Sequence, residues 1–275
     1  MLEFATQYEP FIRLGFFFGV LAAVSLWELL MPRRKLTQKK LIRWYSNLGI
    51  VGLNSLLLRI VFPMSAVGFA LIVQKNSWGL FNNAGVSFAF AASASVILLD
   101  LVIYLQHVMF HAVPAFWRLH RMHHADLDFD VTTGTRFHPI EILLSMGIKF
   151  SVIALLGTPA LAVLIFEVLL NATSMFNHGN IYIPAKVDRV LRWIIVSPDM
   201  HRIHHSIYVN ETNSNFGFSL PWWDRLLGTY RKSPKDGQVG MTIGIDLFRK
   251  QKYLNLPWLL AQPFLSGRRH HSRDD

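Results

Sequence analysis

Ten of the chain's twelve histidines lie between positions 107 and 205, in the spacing that a metal centre needs. They read His107-x3-His111, His120-x2-His123-His124 and His201-x2-His204-His205, with His138 and His178 standing singly. Residues three and four apart share a helix face, so His107 and His111 can reach one ion together. Each H-x2-H-H box can aim three imidazoles the same way. A lone H-x3-H is common by chance, and a lone histidine on an apolar face is ordinarily a core residue. Two H-x2-H-H boxes beside an H-x3-H are not explained so. Ten imidazoles exceed the roughly four to six protein ligands that one transition-metal ion takes, so two metals are the economical count. His270 and His271, in the terminal GRRHHSRDD, read as solvated tail residues.

The donor set narrows the chemistry. No H-E-x-x-H occurs, which speaks against zinc hydrolase chemistry, and no Glu-x-x-His, which excludes the carboxylate-bridged bundles. The chain has no cysteine, so disulfide frameworks, zinc ribbons, iron–sulfur clusters and thiol nucleophiles are excluded. An all-imidazole set suits iron, zinc or copper alike, and on affinity alone Zn²⁺ outcompetes Fe²⁺ and can replace it in purified protein. Metal-bound histidines donate their outer N–H to a carboxylate, carbonyl or water. Asp100, Tyr104, His107 and His111 fall at offsets 0, 4, 7 and 11, and Glu167, Asn171, Ser174 and His178 repeat them. Asp100 and Tyr104 are therefore candidate acceptors, with a structural pairing to Arg59 as the alternative for Asp100. Glu141 and Asp199, beside histidines, are further candidates whose plain alternative is helix capping.

The elements that must position these residues are membrane helices. Hydrophobic residues make up 52% of the chain and charged ones 16%, and mean hydropathy is +0.32; soluble domains carry about 25% charged residues. The first apolar segment, Gly15 to Met31, just reaches across a hydrocarbon core at about 1.5 Å per residue. It lacks the basic flank and cleavage site of a signal peptide. The loop after it carries Arg33, Arg34, Lys35, Lys39, Lys40 and Arg43 with no acid, which places it in the cytoplasm and the N-terminus outside. A second segment covers Leu48 to Val73, interrupted by Arg59 and Pro63, and a third Val86 to His111. The fourth, Ile142 to Phe176, is too long for one span and holds Gly157-Thr158-Pro159, which predicts a hairpin of Ile142–Leu156 and Ala160–Phe176. Lys149 and Glu167 each sit nine residues from Thr158, so they are expected to pair at equal depth unless one snorkels to the surface.

The expectation is an all-α integral membrane protein: a bundle of four to five membrane helices, one pair a hairpin, capped by a cytoplasmic His-rich helical domain. It reads as one membrane domain over 1–275, with parts at 15–111, 112–141, 142–176 and 177–275. The +10 formal charge flanks apolar segments, so it marks topology rather than nucleic-acid binding. The basic stretch 231–275 suits anionic lipid head groups, with an acidic electron donor as the alternative. Trp222, Trp223, Trp258 and Tyr230 read as interfacial anchors.

The histidine boxes, with WRLHRMHHADLDFDVTTGTRFHPIE, SPDMHRIHHS and NFGFSLPWWDRLLGTY, resemble the fatty acid hydroxylase superfamily, which includes the sterol desaturases. The likeness covers roughly Arg43 to Tyr230. It implies a non-haem di-iron oxygenase acting on a lipid with O₂ and no bound haem or flavin. By that analogy His107, His111, His120, His123, His124, His201, His204 and His205 are ligands, with His138 and His178 completing the shell. The implied reaction inserts one oxygen atom into a lipid C–H bond; desaturation is the alternative, because both begin with the same hydrogen abstraction. Electrons are expected from a separate cytochrome b5-like protein, ferredoxin or reductase, since no such domain is visible in the chain. The compact length favours a bacterial inner membrane over the endoplasmic reticulum. A non-catalytic metal carrier is the remote rival, but its histidines would run through the membrane rather than gather on one side. Substrate and oligomeric state are left open.

Overall fold

The computed structural model describes residues 7–266, so His270 and His271 lie outside the described residues. The described residues form helices joined by loops, with two isolated β-bridges and no strand. Helix α1 (Glu9–Leu30) opens with Pro10 in its first turn, where a missing N–H costs nothing. It starts earlier than its apolar run suggests, which brings Arg13 inside the helix. Helix α2 (Lys40–Val61) ends before Pro63, and α3 (Ala66–Lys75) begins behind the cap Ser65, whose hydroxyl accepts from the Gly68 N–H. The second apolar segment is thus two helices rather than one interrupted span, because proline cannot sit inside the hydrogen-bond ladder. Helix α4 (Phe88–Ala112) is followed directly by α5 (Pro114–His124), and the hairpin is α6 (Pro139–Leu156) with α7 (Ala160–Asn177). Short helices α8 (Ala185–Leu191), α9 (Pro198–His204) and α10 (Trp222–Leu226) complete the cap.

Five helical stretches are long and apolar enough to cross a membrane, with α2 and α3 counted as one. Their outward faces carry bare hydrocarbon, as at Phe11, Phe18, Leu29, Ile60 and Leu155. Such surfaces are stable against lipid, and a helix satisfies its own backbone there. The inner contact among α3, α6 and α7 is closed by small and medium side chains, including Ala66, Ala70, Val73, Ile153, Ala160 and Val163. The hairpin turns at Gly157, whose φ of +72° is left-handed, and the turn before Leu80 presses on it backbone to backbone. A Cβ on Gly79 would stand 2.0 Å from the Gly157 nitrogen, so neither position has room for a side chain.

The loop between α5 and α6 is buried almost throughout although it carries three aspartates. Arg43 of α2 is fully buried and binds Asp126 with Nε and Nη2, at 2.7 and 2.9 Å, and Asp130 with Nη1. Asp128 accepts the backbone N–H groups of Thr37 and Gln38. Arg43, which reads in the sequence as the last cation of a basic loop, is therefore a structural clamp. The segment after Tyr253 folds back on α5, where Arg121 Nη2 donates to the Leu265 carbonyl at 2.7 Å and Arg118 Nε to that of Pro263.

Candidate metal centre

Nine buried histidines converge where α4, α5, α7 and α9 meet. His107, His111, His120, His124 and His204 form one group, and His123, His178, His201 and His205 the other. Within each group, one ligand atom per residue lies within 4.8 Å of every other. The groups interleave because each H-x2-H-H box splits between them: α5 sends His120 and His124 to the first and His123 to the second. Helix α9 does the reverse, sending His204 to the first and His201 and His205 to the second. The imidazoles of His124 and His205 stack across the divide with centroids 4.5 Å apart.

Outer nitrogens are held mostly by backbone carbonyls. His107 Nδ1 donates to Phe216 O at 2.7 Å, His204 Nδ1 to Ser214 O at 2.8 Å and His178 Nδ1 to Ser174 O at 2.7 Å. His123 Nδ1 reaches Arg136 O at 3.2 Å, and His111 Nδ1 reaches Asn213 Oδ1 at the same distance. His120 Nδ1 donates to the Glu141 carboxylate at 2.7 Å. A neutral imidazole has one N–H, so a ring that donates through Nδ1 presents a bare lone pair at Nε2. Yet His107 Nε2 and His120 Nε2 lie 3.1 Å apart, as do His178 Nε2 and His123 Nε2. Facing lone pairs repel; a cation between them turns the repulsion into ligation. Two further buried nitrogens, His204 Nε2 and His201 Nε2, have no hydrogen-bond partner. Both groups thus fit a metal ion.

Burial keeps the ligands in the form a metal wants. The imidazoles of His123, His124, His201, His204 and His205 are held well below the usual histidine range, first by desolvation and then by their mutual proximity. Desolvation lowers His178 to about 3 against the opposing pull of the Ser174 carbonyl. All six are therefore neutral at pH 7.

The remaining sequence candidates separate. His138 is in neither group: it caps α6, its Nδ1 accepting from the Ile140 N–H while Nε2 faces the Leu260 carbonyl at 3.3 Å. With both nitrogens turned to backbone it is corrected from ligand to cap. Asp100 touches no histidine and does not pair with Arg59; its Oδ2 accepts from Trp223 Nε1 at 2.8 Å and from the Leu220 N–H. Tyr104 bonds Thr229 Oγ1 at 2.8 Å. Both corrections have one cause: this face of α4 is covered by the loop 213–230, and the two residues hold the loop whose carbonyls hold His107 and His204. Trp223 is accordingly pinned inward rather than serving simply as an interfacial anchor. Asp199 binds Arg33 and Arg202, not a histidine. Glu141 does meet a ligand ring. Lys149 Nζ meets Glu167 Oε1 at 2.7 Å, and Arg13 joins them from α1, 3.2 Å from Glu167. The carbonyl acceptors had no signal in the sequence, since every residue carries one.

A cavity of about 240 Å³ runs from the metal centre into the membrane helices. His107, His120 and Glu141 wall one end; Arg13, Lys149 and Glu167 wall the other. Glu141 and Lys149 are eight residues apart on α6, so the ends are separated by about 12 Å along that helix. Phe137, Ile103, Leu170 and Met146 give much of the wall between them an apolar surface.

A family model described as "Fatty acid hydroxylase" matches residues 92–229. The chain is 26% identical to the ornithine lipid hydroxylase OlsE of Rhizobium tropici, over 90% of its own length and 74% of the relative's. It is 27% identical to the alkylglycerol monooxygenase of Xenopus tropicalis over 54% of the chain, and 26% identical to human cholesterol 25-hydroxylase over 50%. It spans about a third of the alkylglycerol monooxygenase and half of the cholesterol hydroxylase. No solved structure matches it.

Proposed function

The chain belongs to the fatty acid hydroxylase family, and from that premise we propose that it is a membrane-bound di-iron monooxygenase of lipids. Family and relatives indicate a lipid hydroxylase; the nine-histidine centre opening into a membrane cavity carries the finer reading. Five imidazoles in the first group exceed the four ligands of a tetrahedral zinc site, which favours iron. Iron held there supplies the oxidising power that an unactivated C–H bond requires and that no side chain provides. One atom of O₂ enters the C–H bond and the other leaves as water, with two electrons from an external donor protein and two protons from the solvent.

The chain's own residues position and exclude. Carbonyls fixed by the Asp100 and Tyr104 contacts, together with Glu141, hold the histidine rings in one tautomer, with their metal-facing nitrogens bare. Phe137 stacks on His123 and Phe218 packs at a tilt against His107, which gives both histidine groups an apolar cover. The substrate enters sideways from the bilayer along the apolar wall. The basic loop after α1 and the histidine cap face the cytoplasm, in a bacterial inner membrane, with the basic C-terminal part against anionic head groups.

Untargeted lipid mass spectrometry on cells with and without the gene, under air, tests the reading. A lipid heavier by about 16 mass units that depends on both the protein and O₂ is expected. A loss of two hydrogens would instead make the enzyme a desaturase. No oxidised lipid even with a reductase supplied, despite two irons per chain, would overturn it.

A further inference from the structure

The relatives bear the names of a polar lipid, an ether lipid and a sterol, so they do not choose a substrate for this chain. The cavity narrows the choice. Three residues that line it, Asn54, Gln106 and Glu141, each carry a buried oxygen (Oδ1, Oε1 and Oε2) with no hydrogen-bond partner among the described residues. The orientation of Asn54 is set, because its Nδ2 donates to the Phe137 carbonyl at 2.9 Å and leaves the oxygen free. Glu141 spends one carboxylate oxygen on His120, and among the described residues no Lys or Arg lies in salt-bridge reach of the other. A buried acceptor without a donor costs free energy that only an N–H or O–H donor recovers. The far end asks for no such ligand, since Arg13 and Lys149 are already balanced by Glu9 and Glu167. A plain acyl chain or sterol ring would fit the apolar wall and leave all three acceptors dry.

We propose that the metal end of this cavity receives the N–H-bearing polar part of a lipid, an ammonium or amide, against Asn54, Gln106 and Glu141. The carbon presented for oxidation then lies beside a nitrogen rather than in an isolated hydrocarbon tail. Glu141, the one carboxylate at this end, favours a cationic donor. The proposal rests on the lipid-hydroxylase reading, but the binding it asserts does not require the metal.

Two synthetic probes of equal chain length test it on the full-length, iron-loaded protein in detergent without O₂ or reductant: N-hexadecyl glycinamide, which carries ammonium and amide donors, and hexadecyl acetate, which only accepts. Native mass spectrometry is expected to show the glycinamide binding about tenfold tighter or more, the difference made by one or two charge-assisted hydrogen bonds. Asn54→Leu and Gln106→Leu should each narrow that preference, by weakening glycinamide binding, with Glu141 left to hold the remainder. Equal affinity for the two probes in the wild-type protein overturns the proposal, and so does a preference that neither substitution diminishes. Should either variant fail to fold, the wild-type comparison still decides. With reductant and O₂ added, oxidation of hexadecyl acetate as efficient as that of the glycinamide would overturn the proposal and leave the hydroxylase reading standing. Selective binding of the glycinamide without oxidation of any lipid would overturn the hydroxylase reading and leave the donor site standing.

Discussion

Arg43 and Asp126, 83 positions apart in sequence, meet in a two-point ion pair that solvent does not reach. The guanidinium holds the first turn of α2 to the loop after the second histidine box, and through Asp130 it closes that loop on itself. Burial alone would raise the Asp126 carboxyl, but the Arg43 and Arg136 charges beside it win and bring it down to about 2. Arg136 in turn donates from Nε to the Met122 carbonyl, while its own carbonyl accepts from His123. Removing Arg43 therefore loosens a ligand as well as a loop. Arg43→Met takes the main counter-charge from two buried carboxylates, leaving Asp126 only the Arg136 guanidinium at 3.7 Å, and is expected to cost about 3–5 kcal/mol. A detergent melt should fall accordingly, and an unchanged melting temperature would contradict the clamp.

His123 and His204 belong to different groups, so they test the division of ligands. His123→Ala and His204→Ala are each expected to lower bound iron by elemental analysis and abolish oxidation, while the protein still inserts in the membrane. Full activity in either variant would refute the assignment. His138→Ala should keep the full metal content, losing only about 1 kcal/mol of helix cap.

Glu141→Gln keeps an acceptor for His120 but removes the charge that strengthens the bond. Outer partners of this kind typically change metal affinity or activity by about 10–100-fold. Iron retention during dialysis against a chelator would read the effect, and retention equal to wild type would reduce Glu141 to a cavity wall.

Gly134 lets the loop before α6 touch α7. A Cβ there would stand 2.3 Å from the Ser174 carbonyl and 3.1 Å from His178 Nδ1, and the Ser174 hydroxyl donates to the Gly134 carbonyl at 2.7 Å. Gly134→Ala must push the loop off the very carbonyl that orients His178. A loss of about 1–3 kcal/mol is expected, together with weakened iron binding. Unchanged iron content and melting would show that the loop yields without disturbing His178.

Burial pushes the Asp224 carboxyl up to about 6, against the opposing hydrogen bonds from Thr229, Gly217 and Phe216. The unfolded value is about 3.9. Between the two the folded state binds more protons, so stability is greatest below the unfolded value and falls as pH rises towards 6. Two pH units at about 1.4 kcal/mol each bound the fall near 3 kcal/mol. Asp224→Asn should flatten the melting curve's dependence on pH between 4 and 6 relative to wild type. An identical slope in both proteins would refute it.

The sequence by itself determined what depends on neighbours along one helix. Apolar length gave α1, α4 and the hairpin, and Gly157 gave its turn, because a membrane helix satisfies its backbone internally and declares itself locally. The i, i+4 spacing put His107 with His111 and His120 with His124. The expectation that each H-x2-H-H box aims all three rings the same way fails, since both boxes divide between the groups. Equal distance from Thr158 paired Lys149 with Glu167. Tertiary structure decided what needs a second element. It placed His178 in one group and His138 in none, because His138 caps α6 and turns both nitrogens to backbone. Asp100 and Tyr104 share the histidine stripe on α4, yet they hold the loop 213–230, since a helical offset fixes a face and not what packs against it. Arg43 reads in the sequence as one cation of a basic loop, and only Asp126 and Asp130, folded over it from 83 and 87 positions away, make it a buried clamp. Carbonyl acceptors and unpartnered oxygens carry no residue signature at all: whether Asn54 Oδ1 has a donor is a property of three-dimensional placement.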